Sequence, residues 1–290
     1  MVILYGLMCF KSFEQVKNLI DILNVNGNII IVHVDLKSEE LYNGLLEHYK
    51  DDKSIHFLAD RVEIRWGGYQ QILCETKIFK EALKYNFDYF KLLSGSDLPV
   101  KTDSEFKAFL TKNGNKEYIE CFKDVHQRWR LHLYHNEVYP WFRKHFNFLQ
   151  FTMEIIDFFA GWKIGNKNFV NYDGTMGTNW ILVTHDFLKY LSDYIEKYKV
   201  TDLFKNTICG DEVFVQLIFK DSPFYKNIYK HERGGALLYV HWALYNSPRI
   251  LTEKDLKHLD APDCFFARKF ELSYNREFVE SIYRRHKNLK

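Results

Sequence analysis

The chain has 290 residues, of which 47% are hydrophobic and 17% aromatic, enough apolar surface for one large core. Its formal net charge of +2 excludes an overall basic field for nucleic acid or an anionic bilayer. Five cysteines, at positions 9, 74, 121, 209 and 264, form no C-x-x-C pair, which predicts packed, reduced thiols in a cytoplasm rather than a disulfide framework or zinc site.

The opening "MVILYGLMC" and the later "NIIIVHVD" are nearly continuous β-branched and apolar runs, as expected of strands covered on both faces. The opening has no basic stretch before it, and Lys11 arrives too early for a spanning helix, so it reads as a buried strand rather than a signal peptide. Between these strands Phe13, Val16, Leu19, Ile20 and Leu23 make a helical stripe, with Ser12 placed as N-cap. "IHFLAD" predicts a third strand, "GGYQQILCETKIFKEALKYN" a long amphipathic helix, and "YFKLLSGSD" a fourth strand ending in a turn. This alternation predicts an α/β fold with a mostly parallel sheet and helices on both faces. Ligands of such sheets bind beyond the carboxyl ends of strands, which singles out Asp35, the Gly67–Gly68 turn and the "SGSD" turn.

In the middle, "RWRLHLYH" alternates with the period of a strand, and residues 141–162 predict an aromatic-rich helix after Pro140. Arg143, Lys144 and His145 beside apolar side chains give that helix a conceivable place at a membrane surface. Strand "GTNWILVTH", helix "DFLKYLSDYIEKY", helix "GDEVFVQLIFK", strands "ALLYVHW" and "CFFARKFEL", and a charged final helix complete the chain. With no repeat, low-complexity tract or linker, residues 1–290 read as one domain, with a first half to about residue 120 and a second from about 121.

Several residues stand out chemically. In "GDE", Gly210 gives a turn and Asp211 and Glu212 open a helix, where one acid can cap and the other project as a general base. Trp66 in "WGG" is either core or the wall of a pocket that Gly67 and Gly68 let backbone approach. Asp97 stands alone: no D-x-D pair occurs in the chain, so the usual two-acid anchor for Mg²⁺ or Mn²⁺ is missing. His126, His132 and His135 match no closed metal site, and no G-x-S-x-G elbow or Walker A loop is present. Arg268 and Lys269, adjacent inside the apolar "FFARKF", demand an anion, because burying an unpaired cation is expensive. On an ideal strand the two would face opposite ways, so both can meet one ligand only if the segment departs from strand geometry.

Taken in order, "IIIVHVDLKS", "VEIRWGGYQQILCETKIFKEAL", "DYFKLLSGSDLPVKT" and "GDEVFVQLI … SPRILTEKDL … FFARKF" resemble the core-2/I-branching β-1,6-N-acetylglucosaminyltransferase and xylosyltransferase family, glycosyltransferase family 14. The similarity runs from about Met1 to Phe270 and is weakest from Phe122 to Asn171. It implies a single GT-A-like domain and an inverting transfer of N-acetylglucosamine or xylose from a UDP-sugar to a glycan or lipid-linked glycan, with no metal cofactor. On matching positions it implies Glu212 as catalytic base and Arg268 and Lys269 as the diphosphate's cations. Asp35, Trp66, Gly67 and Asp97 fall in the donor pocket, and Trp180 and Asp211 on the acceptor side. Some members carry a basic residue where Leu238 stands here; Arg233, Arg249 or the Arg268–Lys269 pair itself would have to compensate. By analogy the setting is a bacterial cytoplasm, with the enzyme peripheral at the inner membrane if the acceptor is lipid-linked. A non-catalytic sugar- or nucleotide-binding protein, and a metal-dependent transferase using Asp97 alone, are the competing expectations.

Overall fold

The computed structural model describes residues 1–132, 165–230, 235–243 and 248–287. The predicted 141–162 helix, His135 and Arg233 lie outside them. Strands β1 (Ile3–Cys9), β2 (Ile29–Val34), β3 (Ile55–Phe57) and β4 (Tyr89–Ser94) run parallel. Two-residue strands β5 (Leu98–Pro99), β6 (Phe122–Lys123) and β7 (Thr175–Met176) follow, and β8 (Leu182–Thr184) pairs antiparallel with β4. The central order is β3–β2–β1–β4–β8. The predicted strand in "ALLYVHW" is β9 (Leu238–Val240), which joins β5 and β10 (Phe266–Arg268) in a separate sheet ordered β5–β10–β9.

All seven residues of β1 are buried, and alternation assigns them to two cores. Ile3, Tyr5 and Leu7 join side chains from α1 (Phe13–Leu23), α2 (Glu39–His48), α4 (Asp103–Asn113) and the helix Arg276–Lys287. Leu4 and Met8 face α3 (Gln70–Ala82) and the helices His185–Tyr198 and Phe214–Lys220. Helices thus cover both faces, as the apolar runs predicted. α2 and α4 went unpredicted because each buries few residues, Leu41 and Leu45 in one and Phe106 and Leu110 in the other, among polar neighbours.

Three local expectations are corrected. Trp129–His132 is a short helix, α5, rather than a strand: of its four residues only Leu131 is buried, so no apolar face at period two is served. "GDEVFVQLIFK" is broken at Val213 into a 3₁₀ turn, Gly210–Glu212, and the helix Phe214–Lys220. Ser12 occupies the N-cap position of α1 but makes no capping hydrogen bond. Register then places the site. Cys9 is level with Val34 and Met8 with Ser94, so the turns after β1, β2 and β4 share one edge. Asp35 N–H donates to Cys9 O at 2.8 Å and Gly95 N–H to Met8 O at 3.0 Å, closing that edge.

Candidate active site

The "WGG" and "GDE" turns meet directly. Cys209 N–H donates to Gly67 O at 2.7 Å. Gly67 has φ +70°, and a Cβ there would come within 3.2 Å of Ile208 and 3.3 Å of Cys209 Sγ, so both conformation and space call for glycine. The 3₁₀ turn sends its two acids in different directions. Asp211 points inward: it is buried and accepts from Gln71 Nε2 at 3.0 Å, while Gln71 Oε1 takes the Gly67 N–H at 2.7 Å. Glu212 stays 28% exposed and forms an ion pair through Oε2 with Arg130 of α5.

Behind them Glu75, fully buried on α3, accepts from Asn179 Nδ2 at 2.9 Å. Burial, then the Asp211 charge, pushes the Glu75 carboxyl well above the usual carboxylate range. Burial, then the neighbouring Glu212, raises Asp211 to about 7. Burial thus disfavours the charged form of both inner acids, and Glu212 is the member of the trio that reaches solvent.

The cationic end is built on the "SGSD" turn. Asp97 is fully buried; its Oδ2 accepts Ser94 N–H at 2.7 Å, and its Oδ1 lies 3.6 Å from Arg268 Nε. The Arg268 guanidinium rests over the Trp180 indole, 4.2 Å from the ring centre. That geometry is a cation–π contact. Among the described residues the guanidinium makes no hydrogen bond, and Nε is buried without an acceptor. Strand β10 ends at Arg268, and the peptide bond to Lys269 is cis. Lys269 is partly exposed, its carbonyl takes Leu251 N–H at 2.9 Å, and its side chain has no ion pair among the described residues. Phe270 N–H donates to Ser96 O at 2.9 Å, fastening the segment to the "SGSD" turn.

One short segment joins the two ends. Gly177 N–H donates to Glu212 O at 2.9 Å, and three residues later Trp180 carries Arg268. Three residues of chain span roughly 10 Å at most, so the backbone beside Glu212 and the indole under Arg268 are carried by one short stretch. A Cβ on Gly177 would fall 1.9 Å from Glu120 O, so this approach requires glycine. The bond from Gln216 Nε2 to Thr178 O, 2.8 Å, holds the segment to the helix that follows Glu212.

A family model described as "Branch: Core-2/I-Branching enzyme" matches residues 5–260. The chain belongs to the core-2/I-branching enzyme family. The match ends before Arg268 and Lys269, so the site described above supplies the case for those two residues. Similar relatives include "Xylosyltransferase 2" of Rattus norvegicus, 23% identical over 295 residues, covering 94% of this chain and 32% of that one. "Xylosyltransferase oxt" of Drosophila melanogaster is 25% identical over 290 residues, covering 92% and 31%. The chain thus spans about a third of the length of these curated relatives. Among solved structures, the galactosyltransferase LgtC in complex with donor and acceptor sugar analogs covers 100% of this chain and 96% of its own, at 12% identity and a TM-score of 0.39. The apo WbbM bifunctional glycosyltransferase covers 78% and 38%, at 11% identity and a TM-score of 0.41.

Of the residues that this family resemblance put forward, Gly67, Asp211 and Glu212 form one group and Asp97, Trp180 and Arg268 another, with Lys269 following Arg268 and the Gly177–Trp180 segment running between the two groups. Trp66 is 72% exposed, which rules out the core reading and puts it on the surface beside the Gly67 turn. Asp35 is buried at the end of β2, where its carboxylate accepts Lys37 N–H at 2.9 Å and Ile64 N–H at 3.2 Å. It organises the turn that carries it. Phe10, Lys11, Gln15, Gly95, Ser96 and Glu271 line a small, shallow cleft between the ends of β1, β4 and β10. Leu238 sits opposite Phe266 in the β9–β10 register. The Arg249 guanidinium is bound to both Asp255 oxygens, at 2.7 and 3.0 Å. Sequence reasoning missed Glu75, Gln71, Asn179, Arg130 and Lys91. A signal existed for two: Glu75 interrupts the buried stripe Ile72–Ile78–Phe79–Ala82, and Lys91 interrupts an apolar strand.

Proposed function

We propose that the chain is an inverting, GT-A-like glycosyltransferase that moves a sugar, N-acetylglucosamine or xylose, from a UDP-sugar to a glycan hydroxyl. Glu212 is the base. Arg130 occupies its Oε2, leaving Oε1 to accept the proton of the acceptor hydroxyl as that oxygen attacks the anomeric carbon. Departing UDP gains negative charge as the bond breaks, and Arg268 and Lys269 meet it, so no divalent ion is needed at the diphosphate. The guanidinium offers a planar fork to two oxygens, the ammonium a compact charge. Asp35 and Trp66 flank the nucleotide, and Asp211 steadies the turn that aims Glu212.

One observation carries this reading: a guanidinium that makes no hydrogen bond among the described residues rests on Trp180, in the short segment whose Gly177 hydrogen-bonds Glu212. UDP release from UDP-N-acetylglucosamine and UDP-xylose, with and without excess EDTA, tests it. Turnover that persists in EDTA is expected; dependence on added Mn²⁺ or Mg²⁺ contradicts the metal-free part, and UDP binding without turnover on any donor favours a non-catalytic binding protein. Glu212→Gln should lower kcat ~10²–10⁴-fold and leave the Kd for UDP unchanged. A variant within a few-fold of wild type removes Glu212 from the role of base.

A further inference from the structure

Lys91 is out of place in β4. It is completely buried among Tyr89, Phe90, Leu92 and Leu93, on the face that carries Tyr89 and Leu93. An ammonium at that depth is several kcal/mol less favourable than an apolar side chain unless its donors are matched. Here they are matched by backbone from two distant segments. Nζ donates to Trp180 O at 3.0 Å and to Ala236 O at 3.2 Å, and stands 5.2 Å from the centre of the Phe266 ring. The first partner is the residue on which Arg268 lies, the second leads into β9, and the third precedes Arg268 by two residues in β10. The acids that act on this ammonium are Asp97, the partner of Arg268, and Glu120, which also feels the Glu212 charge.

We infer that Lys91 is a positioning residue: its ammonium clamps the Trp180 loop to the β9–β10 sheet and so fixes the indole on which Arg268 is presented to the donor. No group on Lys91 touches substrate; it acts through Trp180 and Arg268. The donor half of this statement rests on the reading of Arg268 given above, whereas the clamp does not.

Two measurements keep the halves apart. The chain has six tryptophans, so protein labelled with 5-fluorotryptophan gives six ¹⁹F signals, and Trp180→Phe identifies the one at 180. In Lys91→Met, a volume-conserving change, that signal should shift or broaden while the other five stay. Titration calorimetry with UDP should show Kd rising about 10-fold. Lys91→Gln keeps an N–H donor at similar depth, should fall between the two, and carries the test if the methionine variant does not fold. A residue with only a structural role would lower Tm and leave the Kd of the folded protein where it was. An unmoved Trp180 signal overturns the clamp; a moved signal with unchanged Kd overturns its link to the donor. Wild-type protein that gives no heat with UDP refutes the donor reading, and the Trp180 signal then decides the clamp alone.

Discussion

Removing the Arg268 side chain should uncover a buried charge. Asp97 is fully buried, and the guanidinium 3.6 Å away is the larger of the two cationic influences that offset it, Lys91 being the other. At that distance and an effective dielectric near 20, the pair is worth about 4–5 kcal/mol. The carboxyl can limit the loss by taking up a proton. Burial already raises its pKa, Arg268 draws it back, and without Arg268 it rises further. Arg268→Ala should therefore cost about 3 kcal/mol of unfolding free energy at pH 7. Asp97→Asn keeps an acceptor for Ser94 N–H, and the double variant should recover about 2 kcal/mol relative to additivity. Urea denaturation of the four proteins closes the cycle, and UDP calorimetry on the same samples separates folding from binding. The double variant should be stable yet bind UDP at least 10-fold more weakly than wild type. Free energies that add within about 0.5 kcal/mol would refute the pairing, and a double variant with wild-type UDP affinity would refute Arg268 as a diphosphate ligand.

Lys269 has no ion pair among the described residues, so Lys269→Met should leave Tm nearly unchanged while raising the Kd for UDP ~10–100-fold; a fall in Tm with Kd intact would place its role in the fold. Lys91 supplies a pH signature. Burial lowers its ammonium to about 7, against the opposing pull of Asp97 and Glu120, whereas the unfolded chain keeps the ordinary value of 10.5. Between these values the unfolded state binds more protons, so stability rises with pH: the penalty of the buried charge is full below 7 and is relieved as pH climbs. Relative to Lys91→Met, wild type should gain about 2 kcal/mol from pH 7 to pH 9, read as a converging or reversing Tm difference; parallel profiles would contradict the assignment.

The sheet was legible because parallel strands buried on both faces leave long β-branched runs, and β1, β2 and β4 are such runs. The strand ends followed, and with them Asp35, Gly67 and Asp97. Legibility failed where an element earns its place through a few contacts, as in α2 and α4, or where backbone hydrogen bonds decide, as at the 3₁₀ turn of Glu212. Asp211 was read as a capping acid; it is instead a buried one held by Gln71, a partner 140 residues away that no local pattern announces. Arg130 is hidden for the same reason. Its pairing with Glu212 depends on how α5 lies against the turn before Cys209, where Ile208 N–H donates to Arg130 O at 3.1 Å.

Strand β10 is inserted between β5 and β9, antiparallel to one and parallel to the other. A nascent chain halted before Phe266 would hold both neighbours with bare hydrogen-bonding edges, open to any passing extended peptide. The guanidinium and the closing strand arrive together, so ribosomal synthesis should produce no long-lived precursor that is folded but lacks Arg268. A stop codon in that interval would yield self-associating material in place of a folded, shortened protein.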